Sequence, residues 1–281
     1  MRPLSARNPR IQRLTRLVKR RDERAEQRAL VVEGPVLVHD ALDAGLDVLD
    51  VYLDEAAAGR PAVVALLDRL PAETDVWSLP AGVLDRVGDV TTSQGVLAVV
   101  AQRESAWPVP DEAPFVLVLA DLQIPGNVGT LIRAATAAGA GAVVVAGGVD
   151  PTNPKVVRSS AGALFAIDVV TAPSVAEALE QLRSSGYRIA ATVVEGGEPY
   201  DRTDLTGPVA LVLGSEAHGI SEDARAEADL LVTIPMAGPA ESLNVAMAGT
   251  VLCFEVLRQV RSQGADPSGR DASAPGKVPP P

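Results

Sequence analysis

Three segments between residues 121 and 246 carry the residue types that can do chemistry: Asp121–Arg133 (DLQIPGNVGTLIR), Gly214–Ser221 (GSEAHGIS) and Ile234–Ala246 (IPMAGPAESLNVA). Each joins a strand-like apolar run to a helix-like run through a loop rich in Gly, Asn, Ser or Pro. Such loops put backbone amides and short polar side chains at the carboxyl ends of strands, where nucleotide-like ligands gather. In the first segment Asn127 is placed to cap the following helix, and Gly126 and Gly129 permit close backbone approach. Arg133 follows among Leu131, Ile132, Ala134 and Ala135. A guanidinium in that company needs a partner in a site, an ordinary salt bridge, or a route by which its stem reaches water. In the second segment Gly214 ends a strand, Ser215 and Glu216 enter a tight loop closed by Gly219, and Ser221 is the N-cap of EDARAEA. In the third, Ser242 or Asn244 starts the last helix. Each is an ordinary strand-to-helix turn when taken alone. Three of them, each after a parallel strand, point to one ligand site.

Other chemistries lack their residues. There is no P-loop, and Gly139-Ala-Gly141 leads into a strand without the third glycine of a dinucleotide fingerprint. Two histidines, His39 and His218, and one cysteine, Cys253, cannot make the usual zinc sites. No G-x-S-x-G elbow occurs. The site is therefore expected to work without a metal or a covalent cysteine.

The elements that must hold these loops follow from hydrophobic patterning. Strands are expected at 115–120, 142–146, 167–170, 187–193, 209–213 and 230–234, and helices near 128–138, 154–163, 174–185, 222–227 and 243–261. Continuous apolar strands such as VLVLA and AVVVA, alternating with helices, imply a parallel sheet covered on both faces. In the last helix Leu243, Met247, Val251, Phe254 and Leu257 share a stripe that suits either core packing or a subunit interface. The first hundred residues form a smaller α/β unit, with strands at 29–32, 48–53, 75–79 and 95–101 and helices at 35–44, 61–70 and 80–87. The polar, Pro-rich stretch within Gln102–Pro114 separates the two. The expected division is 1–104, a linker at 105–114, a second unit at 115–262, and a tail at 263–281 whose Pro and Gly content favours disorder.

At 281 residues with 47% hydrophobic content the chain can bury ample core. No apolar run is long enough to span a membrane, the N-terminus lacks a secretory apolar region, and the single cysteine suits a cytoplasmic setting. The net charge of −11 speaks against nucleic acid, but its distribution does not. Residues 1–28 hold ten Lys/Arg against three acids, a local +7 that leaves −18 for the rest. Arg7, Arg10, Arg13 and Arg16 on this arm are candidate phosphate contacts. The alternative is a solvated helix face opposite Ile11, Leu14, Leu17 and Val18.

Taken together, the three segments resemble the SpoU/TrmH group of the SPOUT RNA methyltransferases. The group's first motif matches Asn127, Gly129 and Arg133; its second matches Leu213, Gly214, Glu216 and Gly219; its third matches Ile234 through Ala246 without a gap. The resemblance covers residues 115–260. More loosely, VVEGPVLVHDAL and TTSQGVLAVV resemble the group's amino-terminal substrate-binding domain. The resemblance implies an α/β methyltransferase domain with a parallel sheet and a trefoil knot, preceded by a small α/β RNA-binding domain. It implies S-adenosyl-L-methionine held by Leu213, Gly214, Gly219, Ile234, Met236 and Leu243, largely through backbone groups. It further implies methyl transfer to a ribose 2′-hydroxyl of RNA by a cytoplasmic homodimer paired through the last helix.

Catalytic roles fall by the same resemblance to Arg133, Asn127, Ser242, Asn244 and Glu216, with the arginine often supplied from the partner subunit's side. Arg133 is either the base or a phosphate clamp. Asn127 is expected to fix Arg133, Ser242 and Asn244 to hold ribose or phosphate, and Glu216 to pair with a positive group or cap a loop. A separate amino-terminal domain points to ribosomal RNA, with transfer RNA as the alternative substrate. A catalytically silent RNA-binding or ribosome-assembly factor on the same scaffold, or a different mononucleotide enzyme, are the competing readings.

Overall fold

Strands that are apolar on both faces need cover on both, and the second half of the chain supplies it. The computed structural model describes residues 1–88 and 93–264. Residues 89–92 and nearly all of the expected disordered tail lie outside the described residues. The first part contains β1 (Arg2–Pro3), α1 (Pro9–Lys19), α2 (Arg21–Gln27), β2 (Ala29–Glu33), α3 (Pro35–Asp43), β3 (Val48–Asp54), α4 (Pro61–Arg69), β4 (Asp75–Leu79), α5 (Val83–Val87) and β5 (Val96–Ala101). The second contains β6 (Phe115–Ala120), α6 (Pro125–Ala137), β7 (Ala142–Ala146), α7 (Pro154–Ser159), β8 (Asp168–Ala172), α8 (Val175–Ser184), β9 (Arg188–Thr192), β10 (Glu198–Pro199), β11 (Val209–Leu213), α9 (Glu222–Ala226), β12 (Leu230–Thr233) and α10 (Val245–Ser262).

The second sheet is parallel throughout, in the order β10-β12-β9-β11-β6-β7-β8. Val209 to Leu213 pair in register with Phe115 to Leu119. Alternation splits the apolar side chains between two layers. Leu117, Leu119, Val143 and Leu211 pack with residues of α6 and α10, whereas Val116, Val118, Val144 and Val212 pack with residues of α8 and α9. The strand order brings the carboxyl ends of β12, β9, β11 and β6 side by side, and all three motif loops leave from three of those ends. The first sheet is mixed, β1-β4-β3-β5-β2, with β5 antiparallel to both neighbours.

Element boundaries depart from the expected ones where the backbone turns. The helix expected at 154–163 stops at Ser159, because Ala161 and Gly162 both take positive φ before a 3-10 turn at Ala163–Phe165. The helix expected from 128 begins at Pro125, a residue suited to the first helical turn. The last helix begins at Val245 instead of 243. Its buried face holds Ala246, Gly249, Leu252, Cys253 and Val256. Core packing therefore belongs to that face. Of the stripe expected from the sequence, Leu257 joins the core margin, while Met247, Val251 and Phe254 are 60%, 37% and 46% exposed.

The basic arm is α1 and α2. Asn8 caps α1 by accepting from the Arg10 amide at 3.0 Å, Pro9 opens the helix, and Ile11, Leu14, Leu17 and Val18 are buried. Each such aliphatic side chain contributes about 1.5–3 kcal/mol on burial. The polar face is largely compensated. Arg10 stacks on Trp77 at 4.3 Å and lies 3.4 Å from Asp50. Arg13 pairs with Asp50 at 2.9 Å, and Arg16 with Glu23 at 2.8 Å. Arg24, counted on sequence with the basic arm, is not on the surface at all: it is 2% exposed and pairs with Asp150 of the second part at 2.5 Å. Arg158 of α7 and Glu33 of β2 form a second cross-contact at 3.5 Å, and Val157 and Phe165 enter the core of the first sheet.

Close approach of α6 to α7 depends on Gly129, where an added Cβ would overlap Ser159 Oγ and sit 2.6 Å from the Val156 carbonyl oxygen. Gly129→Ala should therefore lower the free energy of urea unfolding by about 1–3 kcal/mol, the usual cost of overpacking a fitted contact.

Candidate functional site

The loop after β11 turns back on itself. Gly219 takes φ +66, its amide donates to the Ser215 carbonyl at 2.8 Å, and the two residues form an isolated antiparallel bridge. Gly214 lies so close beneath this turn that a Cβ there would collide with the Gly219 carbonyl carbon and the Ile220 amide. Glycine is required at 214 by proximity and favoured at 219 by conformation.

The turn projects Glu216 to the start of α6. One carboxylate oxygen accepts from the Gln123 amide at 3.1 Å; the other accepts from the Ile124 amide at 3.3 Å and from Asn127 Nδ2 at 2.9 Å. Helix α6 has no side-chain cap of its own, so a carboxylate from a remote loop serves its positive end. Its contacts here are those of a cap on the start of α6. Burial would raise its pKa, but the hydrogen bonds from Asn127 and from the backbone amides of Glu216, Gln123 and Ile124 outweigh that. The carboxyl group titrates below its ordinary value.

Asn127 is not the helix cap expected from sequence, because the helix has already begun at Pro125. Nor does it hydrogen-bond to Arg133: its side chain reaches Glu216 and Asn244 instead. Its Oδ1 accepts from Asn244 Nδ2 at 3.4 Å, while Asn244 Oδ1 caps α10 by accepting from the Ala246 amide at 2.9 Å. Asn244, not Ser242, is therefore the cap, and Ser221 caps α9 as expected. A chain of hydrogen bonds, Glu216 to Asn127 to Asn244, thus ties one residue from each of the three segments.

These loops wall a cleft of 860 Å³. Leu213, Gly214, Gly219, Ile234, Met236 and Leu243 all line it, with Glu216, Ser242 and Asn244. Asn127 meets it through its two hydrogen-bond partners. Arg133 does not line it: the side chain is exposed on α6 and makes no hydrogen bond or ion pair among the described residues. Arg7, Arg10, Arg13 and Arg16 lie on or just before α1, and none of them lines the cleft. Sequence reading passed over the wall made by Thr192–Glu195 at the end of β9, and over His218, Glu222, Arg225 and Glu241. Only the strand order reveals that wall, since β9 lies between β11 and β12.

Residues 114–254 match the model of the SpoU rRNA Methylase family, and residues 8–98 match that of the MRM3-like substrate binding domain. The chain belongs to the SpoU rRNA methylase family. It is 30% identical over 98% of its length to a 23S rRNA (uridine(2479)-2′-O)-methyltransferase of Streptomyces viridochromogenes, covering 96% of that protein. Among solved structures it is similar to the SpoU methyltransferase AviRb of Streptomyces viridochromogenes in complex with AdoMet (TM-score 0.82, 32% identity, 91% of this chain and 99% of that one). An AdoMet-bound rRNA methyltransferase of Sinorhizobium meliloti is comparably close (TM-score 0.81, 30% identity, 92% and 98%). The expected fold class, a parallel α/β methyltransferase domain after a small α/β domain, agrees with this membership. Among the described residues no helix is long and apolar enough to cross a membrane.

The SpoU cleft depends on the ionised Glu216. Glu216→Gln should lower unfolding free energy by about 1 kcal/mol near neutral pH, since half the acceptor capacity goes while the group stays partly hydrated. Because the Glu216 pKa is depressed, its contribution is present above the ordinary carboxylate range and fades as pH falls through the lowered value. The difference between variant and wild type should shrink accordingly in an acid series of urea melts.

Proposed function

We propose that the protein transfers a methyl group from S-adenosyl-L-methionine to a ribose 2′-hydroxyl of ribosomal RNA, acting in the cytoplasm as a homodimer. The observation that carries this reading is the hydrogen-bonded chain Glu216–Asn127–Asn244, which gathers all three motif loops at one cleft. The residues present suit the donor. Gly219 leaves exposed backbone for the adenosyl group, with Gly214 packed directly beneath it, and Leu213, Val232 and Leu252 give the cleft an apolar wall. The carboxylates of Glu195, Glu222 and Glu241 suit a positively charged sulfonium. When bound, the donor supplies an already activated methyl group, so the protein's task is alignment.

Leu213, Gly214, Gly219, Ile234, Met236 and Leu243 hold the donor. Ser242 and Asn244 hold the ribose or its phosphate, and Asn127 keeps Asn244 oriented. Arg133 clamps a phosphate of the RNA; a guanidinium with a pKa above ~12 is a poor base. Its position outside the cleft of its own chain fits delivery to the partner's cleft. The exposed Met247, Val251 and Phe254 of α10 are the matching subunit contact, since apolar residues spaced along one exposed helix face mark an interface. Residues 115–262 form the methyltransferase part, threaded as a trefoil knot; residues 1–104 bind the RNA, and 105–114 link the two.

Arg133→Ala should bind S-adenosyl-L-homocysteine as wild type does while single-turnover methyl transfer falls by about 10²-fold or more, the scale for removal of a charge-stabilising donor. Mixing Arg133→Ala with Asn244→Ala should restore part of the activity, because one mixed-dimer site then keeps both residues. Full turnover by Arg133→Ala removes that residue from the mechanism.

Arg7 is exposed and has no side-chain partner among the described residues, and Arg16 is paired only at the surface. Exchanging both for Gln should flatten the salt dependence of RNA binding by about 0.7–0.9 in log–log slope for each phosphate no longer neutralised. An unchanged slope moves the RNA face elsewhere.

A further inference from the structure

Arg24 is a buried cation with an unusual reach. Its Nη1 donates to the Leu17 carbonyl at 2.8 Å and the Val18 carbonyl at 3.2 Å, at the end of α1. Its Nε donates to Thr152 Oγ1 at 3.0 Å and its Nη2 to Asp150 at 2.5 Å, both in the loop after β7. Asp150 is itself held by the Thr152 amide at 2.9 Å and hydroxyl at 2.7 Å.

That loop clasps the first motif loop, backbone against backbone. Gly147 and Gly148 take φ +68 and +64, and a Cβ on Gly148 would overlap the Leu122 carbonyl oxygen. The Val149 amide donates to that same oxygen at 2.9 Å, and the Asp121 amide donates to the Ala146 carbonyl at 2.9 Å. Asp121 is held at φ +55, a conformation a non-glycine residue adopts only when its surroundings impose it. The amides two and three residues on, Gln123 and Ile124, are those that bind Glu216. Arg24 therefore stands at one end of an unbroken path that runs from the carbonyls closing α1 to Asn244 in the cleft.

A buried ion pair is a poor means of stabilising an interface, because desolvation offsets most of the attraction. A guanidinium fork is a good means of fixing distance and angle between two bodies. We propose that Arg24 is a positioning residue: it sets the catalytic loop Asp121–Ile124, and through it Glu216 and Asn127, in register with the RNA-binding part. The proposal rests on the methyltransferase reading for its purpose, but not for its test.

In the full-length protein, Arg24→Met and Asp150→Asn should each speed residue-resolved hydrogen exchange of the Gln123 and Ile124 amides by about tenfold or more, while core amides of β6 and β11 change little, the pattern of local opening. Using deproteinised 23S ribosomal RNA, both variants should fall about tenfold in single-turnover rate yet bind S-adenosyl-L-homocysteine nearly as wild type does, with Arg24→Lys recovering part of the rate. Unchanged exchange at the two amides in both variants overturns the proposal, as does an equal rise throughout β6 and β11. A wild-type protein that transfers no methyl group overturns the proposed function, and the exchange result still decides the role of Arg24.

Discussion

One carboxylate organises the cleft. Glu216 arises from a loop some ninety residues beyond the start of α6, yet it supplies the negative charge that the amino end of that helix lacks. In doing so it fixes which way the Asn127 amide points, because Nδ2 must face Glu216 and Oδ1 is left for Asn244. Asn244 in turn starts α10. The three loops are therefore tied through the first: Asn127 bonds Glu216 of the second and Asn244 of the third. Two helix ends and a tight turn are satisfied by a network of a few atoms, and the space left between them is the cleft.

The network works only because backbones come unusually close. Gly214 lies against the 219–220 peptide, Gly129 lies against α7, and Gly249 brings α10 onto Leu131 of α6 and Leu213 of β11. Small residues at these points substitute shape for side-chain chemistry. At Gly214 the result is a turn packed backbone against backbone at the edge of the cleft, beside the apolar side chains of Leu213, Val232 and Leu252. The carboxylates and the few cations of the cleft are then free to match charge.

Much of this is legible in the sequence, and the failures have a common cause. Apolar runs such as FVLVLA and VALVL have only one stable environment, so strand positions and parallel pairing can be read directly. The six residues that the family resemblance assigns to the ligand all line the cleft, and it is the motif match, not the local spacing of glycine and proline, that picks them out. What cannot be read is partnership across long distances. The sequence near Arg24 looks like the rest of a basic arm; Asp150 and Thr152, more than a hundred residues away, help make it an interior residue. Arg10 and Arg13 likewise read as free cations until Asp50 is placed beside them. Asn127 looks like a cap because asparagine favours that position, yet Pro125, suited to a first helical turn, has already opened the helix. The stripe on α10 suits core or interface equally until the helix is rotated onto Leu131 and Leu213 through Gly249. The wall at the end of β9 depends on strand order, which no local pattern encodes.

That strand order also constrains how the chain can be made. The central pairings of the large sheet join β6 to β11 and β9 to β12, so elements synthesised early wait for ones synthesised much later. Helix α10, the last element described, covers β11 and α6 and supplies Asn244. A growing polypeptide emerging from the ribosome can complete its first, smaller sheet while the larger one is still missing strands. For that interval the apolar faces of β6 and β7 lack part of their cover, and protection from self-association falls to chaperones or to rapid docking of the final helix. Completion of the cleft is thus late, since its lining runs to Leu252 within the last helix.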